Sequence, residues 1–210
     1  MTRSPTTIIA MPAAIARLPR DKHARPIPWF VLDTDDGPDF RVIRPNGISI
    51  AINGSLCWVC GTKRDIHAAF VIGPMCAVNR TTAEPPSHYA CAVYSARVCP
   101  FLTTPNMRRR DTNLPPTREM AGEAILRNPG VVAVWRTQQW RPYRVPNGVL
   151  FEVGEPTAVS WWAHGRSATG DEVRTSVAEG LPILEAQTES ARDRTLLSFQ
   201  VRRAQEWLPR

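Results

Sequence analysis

The sequence predicts an α+β fold in which a short cysteine-bearing module packs with a small β-sheet and a C-terminal pair of helices. Three observations carry that prediction. Twenty prolines and 12 glycines in 210 residues divide the chain into short elements. Runs rich in Val, Ile, Phe and Trp, bounded by turn residues, occupy both halves. Beyond residue 169 the apolar positions recur at helical spacing. A hydrophobic content of 43% with 21% charged residues belongs to a folded chain and excludes a disordered polyelectrolyte. No apolar run approaches the roughly 18–20 residues that a membrane-crossing helix needs, so no membrane is expected among the partners.

Residues 1–25 read as an irregular basic lead-in. Pro12 interrupts its apolar stretch and no cleavage signal follows, so a cytoplasmic setting is expected. Residues 26–110 are read as β-hairpins plus a metal module. Pro28–Leu32 and Phe40–Ile43 are extended, and the acidic turn Asp33–Asp39 separates them. Its Asp33, Asp35, Asp36 and Asp39 suit either a solvated loop or a hard cation. Arg44-Pro45-Asn46-Gly47 signals a turn before a strand at Ile48–Ile52, so 40–52 is expected to be a hairpin. Ile66–Asn79 reads as another hairpin, turning at Gly73-Pro74. The strands of 28–52 are expected to pair with that hairpin or with strands at 131–162. Pro85-Pro86-Ser87 announces a helix over 88–98 with Ser87 as N-cap.

Residues 100–116 have linker character. Residues 111–210 are read as strands and C-terminal helices, either a second domain or one continuous with 26–110. A helix at Thr117–Arg127 is stopped by Asn128-Pro129-Gly130, and strands follow at Val131–Arg136, Val149–Val153 and Ala158–Trp162. Thr169-x-x-Glu172 is a capping box. The helix it opens is expected to end at Gly180, with Pro182 in the first turn of the next.

Five cysteines in a reducing compartment suit metal ligands better than disulfides. Cys57-Trp58-Val59-Cys60-Gly61 has the form of a zinc knuckle, and zinc takes four ligands. His88 and Cys91, three residues apart on a helix, project from one face. One structural Zn2+ held by Cys57, Cys60, His88 and Cys91 is therefore expected, with Cys76 as the alternate to His88. Cys76 also reads as a small buried hydrophobe or a reactive thiol. Cys99 lies about 12 Å beyond Cys91 along a helix. A zinc–sulfur bond spans only about 2.3 Å, which excludes Cys99; it is expected to be a buried thiol against Pro100 and Phe101.

Knuckle, hairpin, then a helix with two ligands in its first turn: over 57–99 this order resembles the treble-clef zinc finger. HNH-type nucleases share that module and add a histidine base beside a metal-binding acid. Asp65-Ile66-His67 is the nearest match, spaced by one residue, and no second CxxC follows on the helix. That resemblance implies His67 as general base on a water, with Asp65 holding a divalent ion or orienting the imidazole. PWFV, PDFR and GPMCAVNR resemble segments of uncharacterised phage and prophage proteins, a likeness that implies no activity.

The net charge is +7, and Lys22 and Lys63 are the only lysines beside 24 arginines. Arginine suits bidentate phosphate contacts, and its abundance also follows from a GC-rich genome. Residues 57–110 carry seven basic residues against Asp65 and Glu84, whereas 167–210 carries six arginines against seven acids. Nucleic-acid contacts are therefore expected at Arg97, Arg108, Arg109 and Arg110, the last three reading equally as a solvated linker. Trp161-Trp162-Ala163-His164-Gly165-Arg166 suits either a stacked nucleotide or one buried and one edge ring.

The expected function is a zinc-stabilised, arginine-rich nucleic-acid-binding accessory protein without catalysis. The alternatives are a phage-type factor that binds a host protein through its Trp-rich surface, and an HNH-like nuclease. Four protein ligands leave zinc no open position for water, so any chemistry would fall to Asp65 and His67 or to His164 and Arg166. No Walker loop, dinucleotide glycine fingerprint or GxSxG elbow is present.

Overall fold

The computed structural model describes residues 10–105, 107 and 128–209; the expected helix at Thr117–Arg127 and Arg108, Arg109 and Arg110 lie outside them. In chain order the elements are α1 (Ala13–Ala16), β1 (Val31–Thr34), β2 (Gly37–Ile43), α2 (Gly47–Asn53), β3 (Ala68–Ile72), α3 (Pro74–Asn79) and β4 (Thr81–Thr82). Then come α4 (Tyr89–Val98), α5 (Pro100–Thr103), β5 (Val131–Thr137), β6 (Trp140–Val145), β7 (Gly148–Val153) and β8 (Pro156–Ala163). The two-residue β9 (Arg166–Ser167) precedes α6 (Gly170–Ala186) and α7 (Ala191–Ala204). Helices and small antiparallel sheets thus combine in an α+β fold, with a helical pair at the C-terminal end.

Period-two alternation organises the centre. β5 pairs antiparallel with β3 on one side and β8 on the other, and β9 extends the sheet. Phe70, Ile72, Ala133, Trp135 and Trp161 point to one face, where they meet Phe151 and Val153 of β7. Ala69, Val132 and Val134 point to the other, against Ala92 and Ala96 of α4. Because both faces are covered, β5 reads as an unbroken apolar run. β4, β7 and β6 form a second sheet. The two sheets meet through Trp140, which lies edge-on to Phe70 at 6.2 Å and tilted to Phe151 at 6.0 Å. Trp207 closes this core from the C-terminal end: its ring stands edge-on to Trp135 at 6.1 Å, and its carbonyl accepts the indole N–H of Trp161 at 3.0 Å.

Four local expectations are corrected. Residues 48–52 form the helix α2, not a strand, because left-handed Asn46 turns the chain and Ile48, Ala51 and Ile52 then share a buried face while Ile50 faces out. The strands of 28–52 consequently make a two-stranded ladder of their own: β1 pairs with β2 across the acidic turn, and neither joins the main sheets. Pro74 opens α3 at its first position rather than turning a hairpin, and Met75 and Val78 of that helix bury against α6 and α7. Gly180 does not end a helix: α6 runs through it and through Pro182. A Cβ at Gly180 would lie 2.9 Å from both Cγ and Sδ of Met75, so glycine there permits α3 and α6 to approach closely. Burial of Val177 and Leu184 on either side carries the helix past the proline.

The strands expected at 131–136, 149–153 and 158–162 are present within two residues, and the Thr169–Glu172 capping box forms as the spacing requires. The stretch expected to be linker starts with the short helix α5. The strand β6 went unread: it carries Arg141, Pro142 and Arg144 at a sheet edge, where few side chains need burial. The second C-terminal helix is present but starts at Ala191 rather than at Pro182, opened by a second capping box, Ser190 with Asp193.

Phe70, 1% exposed between the two sheets, tests this packing. Phe70→Ala should cost about 3–5 kcal/mol in urea unfolding. Leu196→Ala, on the exposed face of α7, should stay within about 0.5 kcal/mol of the parent.

Candidate metal centre

The knuckle is built by backbone hydrogen bonds. Cys57 N–H donates to the Thr62 carbonyl at 2.8 Å, and Gly61 N–H to the Cys57 carbonyl at 2.8 Å. Gly61 is left-handed at φ +71°, and a Cβ there would fall 2.4 Å from Trp29 Cδ1, so the turn admits only glycine. Trp29 is held over the knuckle by its N–H to the Val59 carbonyl at 2.7 Å, and Phe30 stacks on Trp58 at 4.8 Å.

The other two side chains arrive with α4. Ala69 of β3 and Ser87 exchange two backbone hydrogen bonds of 3.0 and 2.8 Å, which bring the chain back beside the knuckle. Ser87 is therefore spent as a strand partner, and His88 takes the N-cap position without a side-chain cap. Cys91 follows three residues on, in the first turn.

The ligand atoms of Cys57, Cys60, His88 and Cys91 all lie within 4.8 Å of one another, so these four residues are placed to hold a metal ion. His88 Nδ1 is 3.4 Å from Cys60 Sγ and 3.9 Å from Cys91 Sγ. A tetrahedron with zinc–sulfur bonds of about 2.3 Å has edges of about 3.8 Å, and the cluster fits that size. His88 Nε2 donates to the Lys63 carbonyl at 3.1 Å, which leaves the Nδ1 lone pair facing the sulfurs. The N–H groups of Cys60 and His88 point at Cys57 Sγ, at 3.5 and 3.3 Å.

Three thiols this close cannot all ionise on their own. Contacts with Cys57 and Cys60, then burial, push Cys91 far above the ordinary thiol range. Contact with Cys60 first of all pushes Cys57 up, while the sulfurs of Cys57 and Cys91 hold Cys60 far below that range. A cation held between the sulfurs would favour the thiolate form of all three. Buried Arg64 stands behind the knuckle, its Nε donating to the Leu56 carbonyl at 3.2 Å. Burial pushes its guanidinium down, and the charges of Cys57 and Asp65 oppose that shift. Ile15 of α1, 1% exposed, seals the cluster against water. Neither Arg64 nor Ile15 carries a sequence signal for this role, because each is brought there by tertiary packing.

The remaining candidates lie elsewhere. Cys76 is outside the cluster, on α3 against the main core, where burial first and the charge of Glu84 second push its thiol up to about 11. Cys99 is the C-cap of α4 and half-buried rather than buried. Asp65 accepts the backbone N–H of His67 at 2.8 Å, and the imidazole Nδ1 instead meets Gln138 Nε2 at 3.4 Å. Asp39 pairs with Arg41, and the other three turn aspartates gather into no metal-sized cluster. Trp161 is the buried ring and Trp162 the edge ring. Arg166 is engaged by both Glu172 oxygens at 2.9 and 2.6 Å, so that carboxylate already occupies the α6 N-terminus. Arg97 lies 5.5 Å over the Trp162 ring, its Nε buried without an acceptor.

The Arg166–Glu172 pair has a pH signature. Arg166, and then the Thr169 N–H, hold the Glu172 carboxyl down to about 2 from an ordinary 4.5. Folding therefore favours its charged form, and this contribution is complete above about pH 4.5 and lost as pH falls towards 2. In acid titrations followed by circular dichroism, wild type should be more stable than Glu172→Gln above that window, and the two should converge at its lower end.

No helix among the described residues is long and apolar enough to cross a membrane. Comparison of the chain with protein-family models, with curated proteins and with solved structures finds no match to any of them.

Proposed function

We propose that the protein is a zinc-stabilised nucleic-acid-binding module of treble-clef type, with no reaction at the metal. Three thiolates and an imidazole at tetrahedral spacing form a donor set that selects zinc. Knuckle, the extended Ala69–Ser87 pairing and α4 follow one another in treble-clef order, which supports the class. With four protein donors the ion is structural, and its binding energy is folding energy. Purified protein should carry about one zinc per chain by mass spectrometry of the metal. Cys57→Ser should lose the metal and melt lower, as should wild type in chelator. Cys76→Ser and Cys99→Ser should retain it. Retention in His88→Ala with loss in Cys76→Ser would reassign the fourth ligand.

The observation that carries the nucleic-acid reading is where arginine charge goes uncompensated. Arg41, Arg141, Arg166, Arg174 and Arg203 each pair with a carboxylate. Arg97 in the last turn of α4 and Arg136 on β5 have no acidic partner among the described residues and lie over the rings of Trp162 and Tyr89. Binding of labelled DNA or RNA should weaken with salt, log K falling against log salt with a slope of about −2 for two or three neutralised phosphates. Arg97→Ala should weaken binding and flatten the slope. A second reading, a protein partner such as a host protein, rests on exposed Leu196 (54%) and Phe199 (51%), one helical turn apart on α7. Binding through them would be nearly independent of salt. The nuclease alternative has the least support, since Asp65 engages the backbone of His67 and not its ring.

A further inference from the structure

We propose that the groove along α4 is a stacking site for unpaired bases, so that the nucleic acid bound is single-stranded; this rests on the nucleic-acid reading above. The groove has a volume of about 360 Å³. Tyr89, Val93 and Arg97, spaced by four residues on α4, form its floor together with Tyr94. On the Tyr94 side the helix packs against the α1 segment, where Pro12 lines the groove. On the Val93 side it packs against Trp162, which forms the opposite wall. Three aromatic side chains therefore line one recess, and no Asp or Glu lines it among the described residues.

The cations are placed to hold phosphates at its ends. Arg97 lies over Trp162 at 5.5 Å, and Arg136 of β5 over Tyr89 at 5.7 Å. Both have a buried Nε with no acceptor. The buried Nε is out of a ligand's reach, so a phosphate oxygen would be met by the terminal Nη groups, which show no acceptor among the described residues, while a base stacks alongside. Tyr89 and Arg97 are eight residues apart, about 12 Å along the helix axis, the reach of three bases at about 3.4 Å each. A duplex does not suit this shape. Major-groove readout needs a helix that projects, whereas α4 lies at the bottom of a recess and offers ring faces. An acidic peptide would satisfy the arginines and leave the three rings without a partner.

The test uses the zinc-loaded full chain and fluorescence anisotropy with four probes of equal length. These are a labelled 12-mer oligothymidylate, the corresponding oligouridylate, a 12-base-pair duplex and an abasic 12-mer carrying the same phosphates. The two single strands should bind at least tenfold tighter than the duplex and the abasic strand. Tyr89→Ala should lose about 5–100-fold for the single strands, while Tyr89→Phe, which keeps the ring, should bind as wild type. Tyr89 is 43% exposed, and unchanged melting temperatures would separate this loss from misfolding. Equal affinity for abasic and base-bearing strands, with the steep salt dependence intact, would overturn the groove and leave nucleic-acid binding standing. Absence of binding to every probe would overturn both. Displacement of the oligonucleotide by polyglutamate at equal charge concentration would also overturn the groove, in favour of an acidic protein surface.

Discussion

Two hydrogen bonds between Ala69 and Ser87 join the halves of this structure. Ala69 belongs to the central sheet, and Ser87 immediately precedes the residue that caps α4. Through this exchange the sheet sets where α4 begins. The start of α4 in turn sets where His88 and Cys91 meet the knuckle, and its axis lays Ala92 and Ala96 across Val132 and Val134. Both residues are nearly inaccessible to water, so unmade bonds there would leave buried amides without partners, a cost of about 1–3 kcal/mol each. Small side chains at Ala69, Ala92 and Ala96 let helix and strand approach closely enough for the bridge to form.

Arginine serves a purpose here that composition does not reveal. Arg25, Arg44, Arg64, Arg80, Arg97 and Arg136 each lie over an aromatic ring, at 4.3–5.7 Å from its centre. A planar, weakly hydrated cation covers a ring face, where the aromatic quadrupole attracts it, and its aliphatic stem adds apolar contact. Much of the arginine excess is therefore part of the packing. Charge counted along the sequence overstates what the surface presents, and Arg97 of α4 and Arg136 of β5 stand out because each has a buried Nε that faces no acceptor.

Legibility in the sequence followed the range of the interactions involved. The metal cluster was readable because CxxC and HxxC encode geometry within one turn, and only the meeting of the two pairs depends on the fold. The capping box at Thr169 and the strands of the C-terminal half are also local. What escaped was decided by contacts distant in sequence. Ile48–Ile52 alternates like a strand, yet a helical face is what finds the core. Gly180 has the chemistry of a helix terminator, but 105 residues earlier Met75 supplies the neighbour that makes glycine a spacer. Arg136 and Tyr89 lie 47 residues apart, a separation that no spacing rule connects.

Trp207 has a consequence for how the chain is made. Its carbonyl satisfies the Trp161 indole and its ring covers Trp135, so the core between the two sheets is closed only once residue 207 has been made. The cysteine module can assemble while translation continues, since its four ligands lie within residues 57–91. The tryptophan core cannot. A nascent chain stalled before residue 207 would hold two buried indoles with one face open to water, and would be a substrate for chaperones rather than a finished domain.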